Sequence, residues 1–370
     1  MEMEQDNLAS YFREFSSIEN LNNRTIKQLE KNGYLQHLTE WIAMEKIHGA
    51  NFSFITDGTS VIIAKRSGII AEKENFYNSS IILEKYRDDI ISLYQTVKSH
   101  NPETTTIQVF GEIFGGYYPG YPSSTKPIQR GVYYKPEIDF LVFDIKMNTN
   151  IKAPKIPCEE ESNSSSSDIQ EENYYSWFLS QDEIVQYMKG LISLRSIPIL
   201  ARGKFSEIIN INPVFITTIP ELYNLPKINN NMAEGHVFKT NCRHPSHRLR
   251  PIVKNKNINI FSEINYVPKT NIDENKIDKL SEQVISYCTR NRFFNTISKI
   301  GLDNRIEKIS GIYVSDVLKD FEKDLQEEQI EEFKKSVKKI KEKIIFYLRH
   351  HNYIEIWLDE YHEPINSFVL

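Results

Sequence analysis

Short runs of β-branched and aromatic residues dominate the chain from about residue 38 to residue 260. Gly, Pro and Asn bound these runs, a pattern typical of strands in antiparallel or mixed sheets. In chain order the runs are NFSFI, VIIAKR, TTIQVFGEIFG, DFLVFDIKM, IPILARGKF, EGHVFK and LRPIVKNKN. Two other stretches have helical spacing of apolar residues: SIILEKYRDDIISLYQTV, and QDEIVQYMKGLISL, before which Ser180 and Glu183 form a capping-box pattern.

The pattern changes after about residue 270, where helical periodicity replaces the β-type runs. Apolar residues at spacings of three and four predict one face of a long helix: Ile330, Phe333, Val337, Ile340, Ile344 and Leu348. We therefore predict an α+β domain of residues 1–266, with mainly antiparallel strands flanked by helices, and an all-helical domain of residues 272–370. The break between them is expected near residues 266–272.

Residues 158–173, CEEESNSSSSDIQEEN, are acidic, Ser-rich and nearly free of apolar side chains. Such a segment cannot bury enough apolar surface to offset the entropy lost on ordering. We predict a disordered surface insertion within the first domain.

The composition is ordinary for a soluble globular protein, with 370 residues, 40% hydrophobic and 26% charged. No run of about 18 apolar residues occurs, and the start, MEMEQDNLASYF, is acidic and polar, unlike a signal peptide. From these two features we expect a cytosolic or nuclear protein without a membrane partner. Cys158, Cys242 and Cys288 lie far apart, so we expect reduced thiols. A net charge of −5 leaves the partner class open, because nucleic-acid binding depends on where cations cluster.

Three residues in separate fragments suit phosphate chemistry. Lys46 lies in EKIHG, Glu112 lies between glycines in QVFGEIFGG, and Glu234 begins EGHVFK. Glycine lets backbone approach a ligand closely, so that a neighbouring carboxylate can reach it. Each residue taken alone is also compatible with an exposed, solvated position.

Two further fragments carry pairs of candidate residues. In DFLVFDI, the alternation of side chains along a strand predicts Phe143 and Asp144 on opposite faces. In IVKNKN the same alternation places Lys254 and Lys256 on one face. The alternatives are a core ring, a solvated acid and a pair of edge-strand lysines that prevent aggregation.

Taken in order, six fragments resemble the nucleotidyltransferase motifs of one family: EKIHGANFSF, AKRSG, FGEIFGG, DFLVFDI, EGHVFK and IVKNKN. The family is that of the nick-sealing RNA ligases of T-even phages and the RNA-editing ligases of trypanosome mitochondria. YFREFSSIENLNN is similar to its amino terminus, and SYCTRNRFFNTISKIG is similar to its helical carboxy-terminal module. The resemblance implies a two-sheet nucleotidyltransferase domain of the ATP-grasp-like ligase type and a small helical domain.

The resemblance also implies an ATP-dependent reaction with Mg²⁺ or Mn²⁺, in which Lys46 forms a lysyl-adenylate. Lys254 and Lys256 would act on the α-phosphate, Asp144 would be needed for sealing, and Glu234 would bind the metal. The nucleotide would be bound by Glu45, Lys46, Ile47, His48, Asn51, Arg66, Glu112, Phe143, Glu234, Lys254 and Lys256.

Within that set, Phe143 resembles the ring that stacks on adenine, and Glu45 resembles a base-pocket residue. Glu112 and Arg66 resemble ribose contacts, with Arg66 also near phosphate; Asn51 matches a position near the ribose and phosphate. The reaction needs a neutral lysine amine, whereas a free lysine is protonated at physiological pH. Neighbouring positive charge and partial desolvation would favour the neutral form.

The expected RNA contacts are His48, Arg243, Arg248 and Arg250. His48 stands where the wider superfamily commonly has Asp, and we expect an orienting or RNA-contacting role rather than metal binding. The three arginines lie in RHPSHRLRPIVKNKN, the densest basic patch, which could contact phosphates or could be a solvated loop. In LQEEQIEEFKKSVKKIKEK, acids precede lysines, which the helix macrodipole explains without a ligand.

The predicted function is therefore sealing of 3′-hydroxyl/5′-phosphate ends in nicked duplex RNA or RNA-bridged breaks, by a chain that is monomeric by default. A DNA ligase or a capping guanylyltransferase is the nearest alternative, but those enzymes generally carry a β-rich module where this chain turns helical. A catalytically silent RNA-end-binding protein is the alternative from a different class.

Overall fold

The computed structural model describes residues 8–36, 39–123, 125–152, 174–261, 276–301, 306–325 and 327–362. The chain forms two compact units, Met1–Lys256 and Asn257–Leu370. The predicted break at residues 266–272 and the predicted insertion at residues 158–173 lie outside the described residues.

The first unit is built on two sheets. Its strands are β1 (Glu19–Asn20), β2 (Trp41–Glu45), β3 (Ala50–Thr56), β4 (Val61–Lys65), β5 (Gly68–Ile69), β6 (Thr104–Tyr117), β7 (Lys135–Lys152), β8 (Tyr174–Phe178), β9 (Arg195–Ser196), β10 (Ile199–Gly203), β11 (Gly235–Thr240), β12 (His244–Pro245) and β13 (Ile252–Lys256). The first sheet has the order β1-β13-β11-β2-β10, and the second has the order β12-β8-β7-β6-β3-β4-β5, with β9 beside β7. Among the strands described, only β1 with β13 and β7 with β9 pair in parallel.

Helices flank the sheets of the first unit and make up the second. They are α1 (Asn23–Lys31), α2 (Ser79–His100), α3 (Gln181–Tyr187), α4 (Phe205–Ile208), α5 (Ile258–Phe261), α6 (Lys276–Ile285), α7 (Arg290–Ile300), α8 (Ile306–Asp324), α9 (Glu327–His350) and α10 (Tyr353–His362), with a short 3₁₀ helix at Ile219–Tyr223. The two-sheet α+β architecture followed by helices confirms the predicted fold class. The predicted capping box is also present, since Ser180 and Glu183 exchange hydrogen bonds at the start of α3.

Each sheet packs its outer face against helices. On the second sheet, strand residues such as Phe54, Val109 and Phe140 form a core with Ile90 and Leu93 of α2. On the first sheet the core consists of Leu29, Trp41, Ala43, Phe205, Ile208, Phe238 and Val253. The inner faces of the two sheets then meet, as shown by a hydrogen bond of 2.8 Å from Lys239 Nζ on β11 to the Phe143 carbonyl on β7.

A bulge in β7 contradicts the prediction that Phe143 and Asp144 lie on opposite faces. Phe110 of β6 pairs with Asp144 and Gly111 pairs with Val142, so Phe143 is an extra residue in the ladder. Val142 and Ile145 both enter the outer core. Phe143 and Asp144 therefore share the inner face, because one inserted residue shifts the alternation of the strand.

The second unit is a helical assembly with its own core. Phe293, Tyr313, Val317 and Ile340 are all fully buried there. The predicted apolar face of α9 is confirmed from Phe333 onward: Phe333, Ile340, Ile344 and Leu348 are buried, and Val337 packs against the same core. Ile330, at the start of the helix, is only half-buried. No helix in the described part of the chain is long and apolar enough to cross a membrane.

The two cysteines within the described residues are free thiols: Cys242 is exposed and Cys288 is buried. The third predicted thiol, Cys158, lies outside the described residues.

Candidate active site

Two glycines allow close backbone contacts on either side of Lys46. A Cβ atom on Gly49 would lie 2.2 Å from the Ile113 carbonyl oxygen, and one on Gly235 would lie 2.1 Å from the Asn255 carbonyl oxygen. Gly235 also has a φ of +140°, which side-chain-bearing residues rarely adopt. Its carbonyl accepts a hydrogen bond of 2.8 Å from the Lys46 backbone amide, which fixes Lys46 directly after β2.

The Lys46 amine is held by a buried carboxylate that three basic side chains share. Lys46 Nζ lies 2.7 Å from Glu234 Oε2, His48 Nδ1 lies 3.3 Å from the same oxygen, and Lys256 Nζ lies 3.2 Å from Glu234 Oε1. The Glu234 side chain is only 3% exposed. Burial acts to raise the pKa of Glu234, but the charges of Lys46 and Lys256 hold it well below its usual range.

A second carboxylate, Glu112, lies close to this group. Glu112 is directly opposite Asn51 in the β3–β6 ladder, and the Gly49 backbone amide donates a hydrogen bond to it. Burial raises the pKa of Glu112 to about 7; the Lys46 charge opposes that rise and the Glu234 charge reinforces it. The site therefore brings two carboxylates together beside the Lys46 amine.

Two more predicted residues lie near the same group. The Arg66 guanidinium is close enough to act electrostatically on Glu112, and its Nη1 lies 3.5 Å from Ser17 Oγ. Val253, directly before Lys254, packs into the outer core, so strand alternation places Lys254 and Lys256 together on the inner face, as predicted.

Glu45 precedes Lys46 but has different partners. Its buried carboxylate accepts hydrogen bonds from the Thr217 hydroxyl, from the Thr218 amide at 2.8 Å and from the Thr218 hydroxyl at 3.0 Å. Burial raises the pKa of Glu45 to about 7, although these hydrogen bonds act to lower it. Ile47 is buried in the link to β3, and the amide of His48 donates to the Tyr134 hydroxyl at 2.9 Å.

Asp144 and Phe143 belong to a separate group further along the cleft. The fully buried Asp144 carboxylate forms an ion pair with Arg250 and lies 3.5 Å from Lys239 Nζ. The Phe143 ring contacts Phe15, with ring centroids 4.9 Å apart. Burial lowers the pKa of Lys239 to about 8, while the charge of Asp144 acts to raise it.

The three arginines predicted to bind RNA have different surroundings. Arg243 donates to Glu183 at 2.5 Å and to Asn101 at 2.8 Å. Arg250 pairs with Asp144 and is 14% exposed, whereas Arg248 is exposed. Arg243 and Arg248 are therefore both exposed, but the guanidinium groups of Arg243 and Arg250 are engaged by other side chains of the same unit.

The sequence did not indicate five residues of these groups: Phe15, Tyr134, Thr217, Thr218 and Lys239. Lys239 lies within EGHVFK, and Phe15 lies within YFREFSSIENLNN, so both could have been found from the same motifs. Nothing in the sequence around the two threonines or the tyrosine distinguishes them.

These features define a two-sheet α+β protein with a lysine–carboxylate site in the cleft between its sheets. A family model described as RNA ligase matches residues 39–256, and a model described as T4 RNA ligase 2 C-terminal matches residues 270–345. The chain therefore belongs to the RNA ligase family.

Curated relatives agree with this assignment. The mitochondrial RNA-editing ligase 2 of Trypanosoma brucei brucei is 25% identical to this chain, over 86% of it and 85% of the relative. The mitochondrial RNA-editing ligase 1 of the same species is 28% identical over 67% of this chain, which spans 55% of that protein. A Naegleria gruberi RNA ligase mutant solved with ATP and Mn matches 65% of this chain and 55% of its own, at 16% identity and a TM-score of 0.38.

Proposed function

We propose that this protein is an ATP-dependent RNA ligase that seals 3′-hydroxyl/5′-phosphate nicks in duplex RNA through a lysyl-AMP and an RNA-adenylate. The observation that carries the proposal is the position of the Lys46 amine, 2.7 Å from Glu234, with Lys256 on the other carboxylate oxygen. A nucleophilic lysine is activated by partial desolvation or by a neighbouring cationic group, and Lys256 is such a neighbour on the same carboxylate. The family assignment supports the same reaction.

In the proposed first step, the neutral Lys46 amine attacks the α-phosphorus of ATP. A nitrogen–phosphorus bond forms, the bond to pyrophosphate breaks, and the amine loses a proton. Lys256 and Lys254 would offset the negative charge that builds on the α-phosphate, which is the main contribution a protein makes to such transfers. The RNA 5′-phosphate then takes AMP from Lys46, and the RNA 3′-hydroxyl displaces AMP to form the phosphodiester.

Glu234 engages the Lys46 amine at 2.7 Å, so Glu234 must exchange this partner before the amine can attack. A divalent cation is the partner that fits, since Mg²⁺ binds through one or two carboxylates, keeps several waters and contacts substrate phosphates. Glu234 and Glu112 supply such a pair, and the described residues contain no larger cluster of potential metal ligands. The bound cation would neutralise phosphate charge.

We further propose that the helical unit contacts the RNA duplex, and that the enzyme acts as a monomer on nicked RNA or RNA-bridged breaks. A-form duplex presents shape, phosphates and 2′-hydroxyls rather than readable base edges, so little sequence specificity is expected. Among the proposed RNA contacts Arg248 is exposed, whereas His48 is 12% exposed and would have to leave Glu234 to reach RNA.

The test combines two assays. Incubation with labelled ATP, GTP or NAD and Mg²⁺ should give a covalent adduct with ATP alone, and the adduct should be stable in alkali and labile in acid, as a phosphoramidate is. Sealing of nicked duplex RNA should exceed that of nicked DNA. A GTP adduct would indicate a capping-type enzyme, and RNA binding without any adduct would indicate a silent binder. Preferential sealing of nicked DNA would indicate a DNA ligase, and equal sealing of both duplexes would defeat the RNA-specific claim. Each of these outcomes would contradict the proposal.

A further inference from the structure

We propose that Phe15, Asp144, Lys239 and Arg250 form a ring clamp that positions the side chain of Phe143 and thereby sets the affinity of the site for a nucleobase. The inference rests on the proposed function, in which Phe143 stacks on adenine. It assigns a positioning role to Asp144, and it assigns Arg250 to the nucleotide site rather than to RNA.

The bulge at Phe143 is held from the opposite sheet. An extra residue disrupts the ladder and leaves local backbone groups without strand partners. The Phe143 carbonyl instead accepts a hydrogen bond of 2.8 Å from Lys239 Nζ, and the Lys239 side chain is only 3% exposed. One ammonium group therefore fixes the backbone of the bulge and joins the two sheets at this point.

The ring of Phe143 is held through a second route. The Arg250 guanidinium pairs with Asp144, lies 3.9 Å from the centroid of the Phe178 ring and lies 5.6 Å from that of Phe15. Phe15 meets Phe143 edge-on, with an interplanar angle of 64°. Because guanidinium is planar, it can satisfy a carboxylate and stack on rings at once, which an ammonium cannot do.

Asp144 is the link between the two routes. Its carboxylate is fully buried and faces two cationic groups, Lys239 and Arg250, so its charge is compensated within the cleft. Its neighbour Phe143 lies two strand residues beyond Leu141, which is opposite Glu112. At a strand rise of about 3.3 Å per residue, Phe143 therefore lies about 7 Å along β7 from the residue opposite Glu112, on the same inner face.

The test uses Lys239→Met and Arg250→Lys, with Lys189→Met and Arg87→Lys as matched controls at exposed positions. Binding is measured with 2-aminopurine riboside 5′-triphosphate, whose fluorescence is quenched on stacking. Adenylylation kinetics are measured with ATP, and transfer is compared with ribose 5′-triphosphate, which lacks a base. Thermal unfolding of every variant identifies any that fail to fold.

Both clamp variants should show weaker quenching and a KM for ATP raised about fivefold to tenfold. That change corresponds to part of the free energy gained by stacking one base. Their kcat should be close to that of the wild type, and ribose 5′-triphosphate should react as it does with the controls. Adding Arg250→Lys to Phe143→Ala should change KM little further, because both act through one ring.

Equal losses with ATP and with ribose 5′-triphosphate, or additive effects in the double variant, would overturn the inference. If Lys239→Met does not fold, Arg250→Lys and Phe15→Leu decide the question by the same criteria. If the wild type forms no adduct at all, the proposed function fails, and the quenching titration still shows whether the clamp positions a stacking ring.

Discussion

The pH dependence of stability gives a quantitative test of the environment of Glu45. Its carboxylate is 1% exposed and accepts hydrogen bonds from Thr217 and Thr218, and burial raises its pKa to about 7. We choose Glu45→Gln, because an amide keeps the size of the side chain and can still accept from Thr218 but carries no titratable proton.

The size of the effect follows from linkage. In the unfolded chain Glu45 titrates near 4.5, and in the folded chain near 7. Between those values the folded state holds a proton that the unfolded state has lost, so stability falls as pH rises, by about 1.4 kcal/mol per pH unit. Over the whole window the loss is about 3 kcal/mol, and below pH 4.5 this group contributes no pH dependence.

Urea denaturation of the wild type and Glu45→Gln, followed by tryptophan fluorescence from pH 4 to pH 8, measures the difference directly. Subtracting the two curves removes the other titrating groups. The variant should gain about 3 kcal/mol relative to the wild type between pH 4.5 and pH 7 and then level off. A flat difference, or a relative loss for the variant, would refute the argument that burial outweighs the three hydrogen bonds.

Three other predictions concern separate parts of the chain. Glu234→Gln should reduce adenylylation by on the order of 100-fold at saturating ATP and Mg²⁺, because the reactive amine and the cation lose their shared carboxylate; activity within a few-fold of the wild type would contradict this role. Gly49→Ala should lower the free energy of unfolding in urea by about 1–3 kcal/mol, because the added Cβ would overlap with backbone atoms. At Gly311 an added Cβ has no neighbour within 4 Å, so Gly311→Ala should raise the free energy of unfolding by about 0.5–1 kcal/mol, as expected for alanine in a helix. Arg248→Ala should weaken RNA binding and reduce its salt dependence by about one phosphate contact. Arg243→Ala should lower the stability of the fold and leave RNA affinity unchanged. The reverse pattern in filter binding would be evidence against Arg248 as the RNA contact.

Local patterns were sufficient to predict much of the fold. Runs that alternate apolar and polar residues predict the strands of both sheets, and the spacing from Phe333 to Leu348 predicts the buried face of α9. Both patterns depend only on which side chains are apolar and therefore buried. The placement of Lys46 beside Glu234 and Lys256 follows from the order of the six motifs.

Other features depend on contacts between distant segments. One inserted residue in β7 moves Asp144 to the face of Phe143, and strand alternation alone contains no sign of it. Arg243 is engaged by Glu183 from a distant helix, so its position in a basic stretch is a poor guide to its role. The threonine partners of Glu45 lie more than 170 residues away, in a segment without a motif.

In the proposed reaction, Lys46 becomes covalently bound to AMP. The most direct measurement is peptide mass mapping after incubation with ATP and Mg²⁺, for the wild type, Lys46→Ala and the control Lys27→Ala, an exposed lysine of α1. We expect AMP on Lys46 in the wild type and the control, and no AMP on Lys46→Ala. AMP on a different residue, or equal labelling of Lys46→Ala, would contradict it.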